Sequence, residues 1–536
     1  MDFVFEPLTL YVGVTGHRDI PAEHVPALER AVRGVLSEIQ AQYPHCALTV
    51  LSPLADGADR LCGRAAVEAG LRLVVPTPMD IDEYKKDFDG ESKQEFDALC
   101  ARADKAFAVP APQDAASRGE YYRAVGRYVA EHSHILIALW DGRETLHQEG
   151  GGTFETIQFA RELDRAVCVI DTPRTGDVFQ KPKTAVPVDG RIAVINELCG
   201  DISACRQNMA DMTAAGRADF LDGEAEKSVA PNARRVMDVF LCADALAVKN
   251  RDKKLCALRA LSAFGLAMVF AFLLYDELES NLMLFVYAGL IVLSVAVYMR
   301  AVKRRVHRKY ITMRAIAEAL RIQFYWGLCG ISDNVFESYT FTQKEELGFV
   351  EMMLISLQEE LEHFDTLMPE RGMTLWIRGQ LDYHISSEAK KSKKEVRNKK
   401  AAKTMLVLSV VLFVLVAAME LFFKNALETE LPMQEIRGIF LMHDGAIIWR
   451  GILKIVLGTI SAGTAFLANY YGNLALPQQI FFDRRMRALF EQAVRTESEN
   501  EEQFAKTMKV TGAEALIESA GWYILQRDNG PGLFIG

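Results

Sequence analysis

Four long apolar stretches, nearly free of charge, decide most of what this chain can fold into. They lie at 255–275, 282–299, 404–423 and 455–476. Each is long enough, or nearly so, to cross ~30 Å of hydrocarbon at ~1.5 Å per helical residue. Core helices rarely run so far with so little charge, so this 536-residue chain reads as a membrane protein whose first 254 residues carry a soluble part.

The flanks of these stretches orient them. Lys249, Arg251, Lys253 and Lys254 precede the first, and Arg300, Lys303, Arg304, Arg305, Arg308 and Lys309 follow the second. Lys390, Lys391, Lys393, Lys394, Arg397, Lys399, Lys400 and Lys403 precede the third. The loop 276–281 has no basic residue, and the loop 424–446 is mixed. Basic flanks stay on the cytoplasmic side, which places both termini and the soluble mass there, with the lipid bilayer as the first partner. A formal net charge of −10 argues against a nucleic-acid partner, because phosphate contacts need a basic surface. The nine cysteines form no CxxC pair, so no metal site is expected. The first residues lack the basic and apolar regions of a signal peptide.

The two pairs of spans look like a repeat. Polar helices at 232–250 and 374–400 precede them, and amphipathic helical stretches at 307–331 and 478–497 follow. The segments WIRGQLDYHISSEAKKSKKEVRNKK (376–400) and VTGAEALIESAGWYILQRD (510–528) resemble the lead-in and closing helix of two-helix SLATT effector domains. HRKYITMRAIAEALR (307–321) looks like a related form of the same unit. That resemblance implies pore formation or membrane disruption at a bacterial inner (plasma) membrane, in anti-phage defence.

Before the spans, short apolar strands at 8–14, 47–52, 71–76, 105–110, 134–140 and 166–170 alternate with helical stretches. The expected fold class is therefore an α/β Rossmann-like N-terminal domain, a parallel sheet with helices on both faces, plus an all-α domain with four transmembrane helices. The boundaries read as 1–172 for the sheet domain, 173–231 for a connector or lid, 232–375 for the first two-helix membrane unit and 376–536 for the second. Residues 332–375 read as helix without a site.

Ligands of such sheets bind beyond the carboxyl ends of the strands. The first strand ends in Thr15-Gly16-His17-Arg18, a small-residue turn followed by two donors. The second ends in Ser52-Pro53-Leu54-Ala55-Asp56-Gly57-Ala58-Asp59-Arg60, where Gly57 lets a ligand approach and a helix start offers free N–H groups. Helix capping is the plainer role for Asp56 and Asp59. The fifth ends in Trp140-Asp141-Gly142, and Gly150-Gly151-Gly152-Thr153-Phe154-Glu155 then opens a helix. Tyr84, with Asp87 and Phe88, and Arg118, with Tyr122 and Arg127, could border the same place. Neither GxGxxG nor GxxxxGK[ST] occurs at these turns, which weakens dehydrogenase and nucleotide-triphosphatase readings.

SPLADGAD (52–59) and GGGTFE (150–155) resemble two signature loops of the SLOG superfamily, named for the DNA-processing protein Smf and the cytokinin-activating LOG enzymes. The likeness covers about residues 8–172 and implies a nucleotide-derived ligand, ADP-ribose-like or cyclic, with no other cofactor. LOG enzymes place a glutamate three residues after the threonine. That position is Thr156 here, with Glu155 one residue earlier and ~100° away around the helix. A sensing domain is therefore expected rather than a hydrolytic one, with a membrane-anchored nucleotide hydrolase as the alternative.

The fourth span carries small and weakly polar residues. Gly458, Ala462, Ala465 and Asn469 fall along one helical face, which suits either close packing or a pore wall built by a homo-oligomer. Four spans from one chain enclose little room for a pore.

Overall fold

The computed structural model describes residues 5–110, 117–144, 151–172, 184–221, 223–278, 281–429, 449–496 and 500–528. Gly150, Pro173, Pro182, residues 279–280 of the first inter-span loop and residues 430–448 of the second lie outside them.

The strands are β1 (Thr9–Gly16), β2 (Ala47–Leu51), β3 (Arg72–Thr77), β4 (Lys105–Ala108), β5 (Ile135–Trp140) and β6 (Ala166–Asp171). Between them run α1 (Val25–Gln42), α2 (Ala58–Glu68), α3 (Ile81–Tyr84), α4 (Gly90–Cys100), α5 (Arg118–Glu131) and α6 (Thr153–Glu162). The six strands are parallel in the order β4-β3-β2-β1-β5-β6. Parallel neighbours need crossover helices, which bury both faces and explain why β5 is buried along its whole length. Local signals set the helix ends: Ser117 and Glu120 form a reciprocal capping box on α5, and the Asp80 side chain accepts the Asp82 N–H at the start of α3. Strand order reverses between β1 and β5, and it is at the carboxyl ends of such a reversal that open sheets form their crevice.

The chain continues through α7 (Gly190–Ala204), α8 (Arg206–Phe220), α9 (Gly223–Ser228), α10 (Pro231–Leu278), α11 (Asn281–Lys303), α12 (Val306–Leu328), α13 (Phe341–Glu346), α14 (Gly348–Ser356), α15 (Gln358–Glu362) and α16 (Pro369–Arg371). Then follow α17 (Gly379–Phe422), α18 (Lys424–Leu427), α19 (Trp449–Leu474), α20 (Leu476–Arg495) and α21 (Glu501–Asp528). The chain divides into two compact units. One comprises residues 1–212, 230–236 and 344–365 and holds the sheet; the other comprises 213–229, 237–343 and 366–536. Residues 344–365 thus belong with the sheet, although they stand within the stretch 232–375 that the sequence groups with the first membrane pair.

In the second unit, four helical stretches are long and apolar enough to cross a membrane. The four apolar runs lie in α10, α11, α17 and α19, and the polar lead-ins are continuous with the first and third spans. No described residue of α11 is buried, and Phe285 is 72% exposed, as expected where lipid replaces protein. The fourth span packs more closely. A Cβ at Gly458 would lie 2.7 Å from Leu273 of α10, and one at Gly265 would lie 2.4 Å from the Phe466 ring. Ser461 also hydrogen-bonds Ser409 of α17 at 2.8 Å. The second and fourth spans each hand over to a polar helix through one non-glycine residue in the left-handed region, Arg305 (φ 47°) and Ala475 (φ 49°).

Those polar helices join in a buried aromatic cluster around Tyr325, Trp326, Trp376 and Phe490. Within it Asp483 of α20, 1% exposed, accepts from His384 Nδ1 at 3.1 Å, Ser387 Oγ at 3.0 Å and Lys391 Nζ at 2.7 Å, all on α17. Removing Asp483 leaves the buried His384 and Ser387 without their acceptor, at about 1–3 kcal/mol, while the part-exposed Lys391 keeps water. Asp483→Ala is therefore expected to lower the thermal midpoint of the full chain in nanodiscs by several degrees, at about that free-energy cost. Phe481→Ala, on an exposed ring of the same helix, serves as the control and leaves the midpoint unchanged.

Candidate functional site at the strand-order reversal

The carboxyl ends of β1 and β5 are tied together. His17 Nε2 lies 3.1 Å from Asp141 Oδ1 and accepts the Asp141 N–H at 3.2 Å, while the His17 N–H binds Leu139 O at 3.2 Å. Helix α2 is pressed onto the same place: the Ala58 N–H donates to His17 O at 3.1 Å. Two glycines make this approach possible. A Cβ at Gly16 would sit 2.4 Å from Ala58 Cβ, and one at Gly57 (φ +77°) would sit 2.2 Å from Arg18 O. A third glycine turn arrives from the other side, where a Cβ at Gly151 (φ +84°) would lie 2.4 Å from Tyr122 Cβ.

Around this floor, Arg18 lies over the Tyr122 ring at 4.9 Å. Tyr122 donates to Asp87, which also receives Arg118 Nη2 at 2.6 Å, and Arg118 Nη1 reaches Glu83 at 2.9 Å. Tyr84 is 1% exposed among Phe88, Phe96 and Tyr122, so its ring is part of the packing. Trp140 is likewise core, stacked on Phe154 at 5.8 Å, with its indole N–H on Arg143 O. Thr15 is buried, Gly152 is the buried N-cap of α6, and Thr153 begins that helix.

The carboxylates hold different positions. Glu155 is 6% exposed; one oxygen receives Arg123 Nε at 2.6 Å and the other receives the Gly151 N–H at 2.7 Å. Its carboxylate shapes the glycine turn and has both oxygens engaged by protein. Thr156, where the LOG pattern has a glutamate, faces Gly126 of α5: a Cβ there would be 2.6 Å from Thr156 Oγ1, so a longer side chain has no room without displacement. Asp56 pairs with Arg60 at 2.8 Å and accepts from Ser92 Oγ at 2.6 Å.

Sequence reasoning passed over Arg60 as a functional residue. It is 2% exposed, donates to Leu54 O and Ser92, and lies 4.4 Å over the Phe88 ring. It staples the second-strand loop to α4, across 32 residues of sequence, and only its i,i+4 spacing to Asp56 is visible locally. Arg127 lies over Phe159 at 4.4 Å. Among the described residues, no cluster of three or more His, Cys, Asp or Glu could hold a metal ion. A cavity of about 540 Å³ lies elsewhere, between α20 and α21. The segments preceding α5 and α6, 111–116 and 145–150, lie outside the described residues.

Asp59 is the titratable group of the crevice. Burial pushes its carboxyl from the ordinary 3.8 up to about 7, against the opposing pull of the Ala55 N–H, Arg18 and Arg60. A raised folded pKa means that the native state holds a proton the unfolded chain has lost. The stabilisation is full below pH 3.8 and is lost as pH rises toward about 7. Asp59→Asn keeps an acceptor for Ala55 and removes that dependence. Its thermal midpoint is expected to exceed the wild type's at pH 8 and not at pH 4; equal shifts at both would exclude this ionisation.

No family model matches the chain, and no curated protein matches it. Among solved structures, the X-ray structure of DNA processing protein A from Streptococcus pneumoniae is similar at 17% identity, over 31% of this chain and 52% of that one, with a TM-score of 0.23. The match spans about half the length of that protein, and at this score it carries no functional argument.

Proposed function

We propose that the protein is a membrane effector whose sheet domain is a SLOG-type sensor of a nucleotide-derived signal, ADP-ribose-like or cyclic. Ligand binding triggers or gates membrane permeabilisation by SLATT-like spans in a homo-oligomer, in bacterial anti-phage defence with both termini cytoplasmic. The observation that carries this reading is the crevice itself. Two helix N-termini and three glycine turns converge where β1 and β5 part, with Arg18 and Tyr122 beside them. Glycine-lined helix starts and an arginine suit phosphate, and an aromatic ring suits a base or ribose. For binding to act on the spans, the ligand must favour one conformational state over another.

Thermal-shift measurements on the full chain in nanodiscs with ADP-ribose, cyclic ADP-ribose and cyclic oligonucleotides test the sensing claim. One of them is expected to stabilise the wild type and to bind Gly152→Asp at least about tenfold more weakly, because the added carboxylate stands at a helix start that receives phosphate. Unchanged affinity in that variant would move the site elsewhere. The hydrolase alternative would use Glu155 or Asp56 as general base and Arg18 or Arg118 on phosphate, but Glu155 is engaged by Arg123 and Gly151 and Asp56 by Arg60 and Ser92. Adenine release from AMP by the intact protein would favour it, whereas recovery of intact ligand favours sensing.

The pore reading concerns the face of α19. Gly458 is engaged with α10, whereas Ala465 and Asn469 are exposed further along. Ala462→Leu and Asn469→Leu are expected to cut ligand-dependent ion flux in liposomes while ligand affinity persists. Dissociation of the assembly on native gels would instead assign this face to packing.

A further inference from the structure

Residues 344–365 separate, in sequence, the helix that continues the second span from the helix that leads into the third. They nevertheless pack within the unit that holds the sheet. Helix α14 is buried along most of its length, with Phe349, Val350, Met352, Met353, Leu354 and Ile355 all turned into protein. The packing is reinforced by a polar lock on a fully buried imidazole. His134, which immediately precedes β5, accepts the Tyr11 N–H of β1 on Nδ1 at 3.0 Å. Its Nε2 must therefore carry the proton, and it donates to Met352 O at 2.9 Å with Ser356 Oγ at 3.1 Å. Burial, with Arg165 nearby, holds this ring neutral at ordinary pH. Around the lock stand ion pairs from separate elements: Arg165 with Glu351 at 2.7 Å, Arg235 with Glu360 at 3.0 Å and Arg72 with Glu359 at 3.3 Å. Arg165, 2% exposed at its side chain, is committed to this surface.

The placement links two ends of the same strands. His134 and Tyr11 lie toward the amino ends of β5 and β1, and the His17–Asp141 pair joins their carboxyl ends. Six strand residues at ~3.3 Å each separate the two places by ~20 Å. A rigid, doubly paired strand pair transmits a displacement over that length without a flexible link between.

We propose that residues 344–365 are a coupling arm: docked on the amino ends of β1 and β5 and covalently continuous with the second and third spans, they carry changes at the crevice to the membrane helices. This deepens the sensor reading and rests on it for the natural trigger, but its test needs no ligand. His17→Ala, or His17→Phe as a second variant, removes the acceptor of the Asp141 N–H and so disturbs the carboxyl-end tie directly. Hydrogen exchange of the full chain in nanodiscs then reads segments 306–328, 348–356 and 379–400.

In the otherwise native chain, either variant is expected to change exchange in all three segments about fivefold or more, the lower end of an allosteric coupling. In Glu351→Lys/Glu360→Lys, which sets lysines against Arg165 and Arg235, the arm exchanges freely while the strands stay protected. The crevice variants then leave 306–328 and 379–400 unchanged. A ten-residue Gly-Ser insertion after the exposed Asp365 keeps the arm docked and is expected to silence only 379–400. The arm is excluded as the route if the crevice variants leave the span-linked helices unchanged while it is docked. It is equally excluded if they change those helices as strongly with the arm released. Failure of every nucleotide to bind would overturn the sensor reading and leave this result standing.

Discussion

Strand β1 is paired on both sides, and that constraint organises the rest of the soluble unit. A strand with β2 on one edge and β5 on the other, and helices over both faces, has no room for side chains that are out of place. Gly13 shows the tightness, since a Cβ there would fall 2.7 Å from Ser133 Oγ. Because β1 is also where strand order reverses, its carboxyl end is the one place in the sheet where crossovers diverge and leave a crevice. The glycines at 16 and 57 bring α2 against that end, and the His17–Asp141 pair closes it toward β5.

The four candidate spans obey a different economy. In lipid, apolar side chains would gain little by meeting each other, so α11 can leave no described residue buried while its polar continuation is deeply packed. The organisation of that unit therefore lies outside the spans, in the aromatic cluster around Trp326 and Trp376 and the Asp483 network. The fourth span is the exception, because its small residues let α10 and α17 approach closely. The paired left-handed joints at Arg305 and Ala475 suit an architecture in which each span pair ends in the same kink before its polar helix.

The chemistry of the crevice sorts its acidic residues by surroundings more than by identity. Glu155 is fixed by Arg123 and Gly151, Asp87 by Arg118 and Tyr122, and Asp56 by Arg60 and Ser92. Asp59 is buried deeply enough that its ionisation is postponed toward neutrality.

The sequence alone determined what depends on local pattern. Apolar runs long enough for a bilayer, strands spaced by amphipathic helices and glycines at strand ends each act within a few residues, so all six strands and the four candidate spans were legible. The turns at 15–18, 56–59 and 151–153 were legible too, because glycine at a strand end has few other uses. Only the tertiary structure decided which groups are occupied. Tyr84 and Trp140 look like ligand-facing aromatics in sequence and are core in space, and Glu155 looks available and is bound at both oxygens. The position of residues 344–365 was the least readable feature. It depends on His134 meeting Met352 across 218 residues, a contact that leaves no periodic trace in either segment. Local sequence fixes elements through short-range geometry, whereas long-range burial and pairing decide which of their side chains remain free to act.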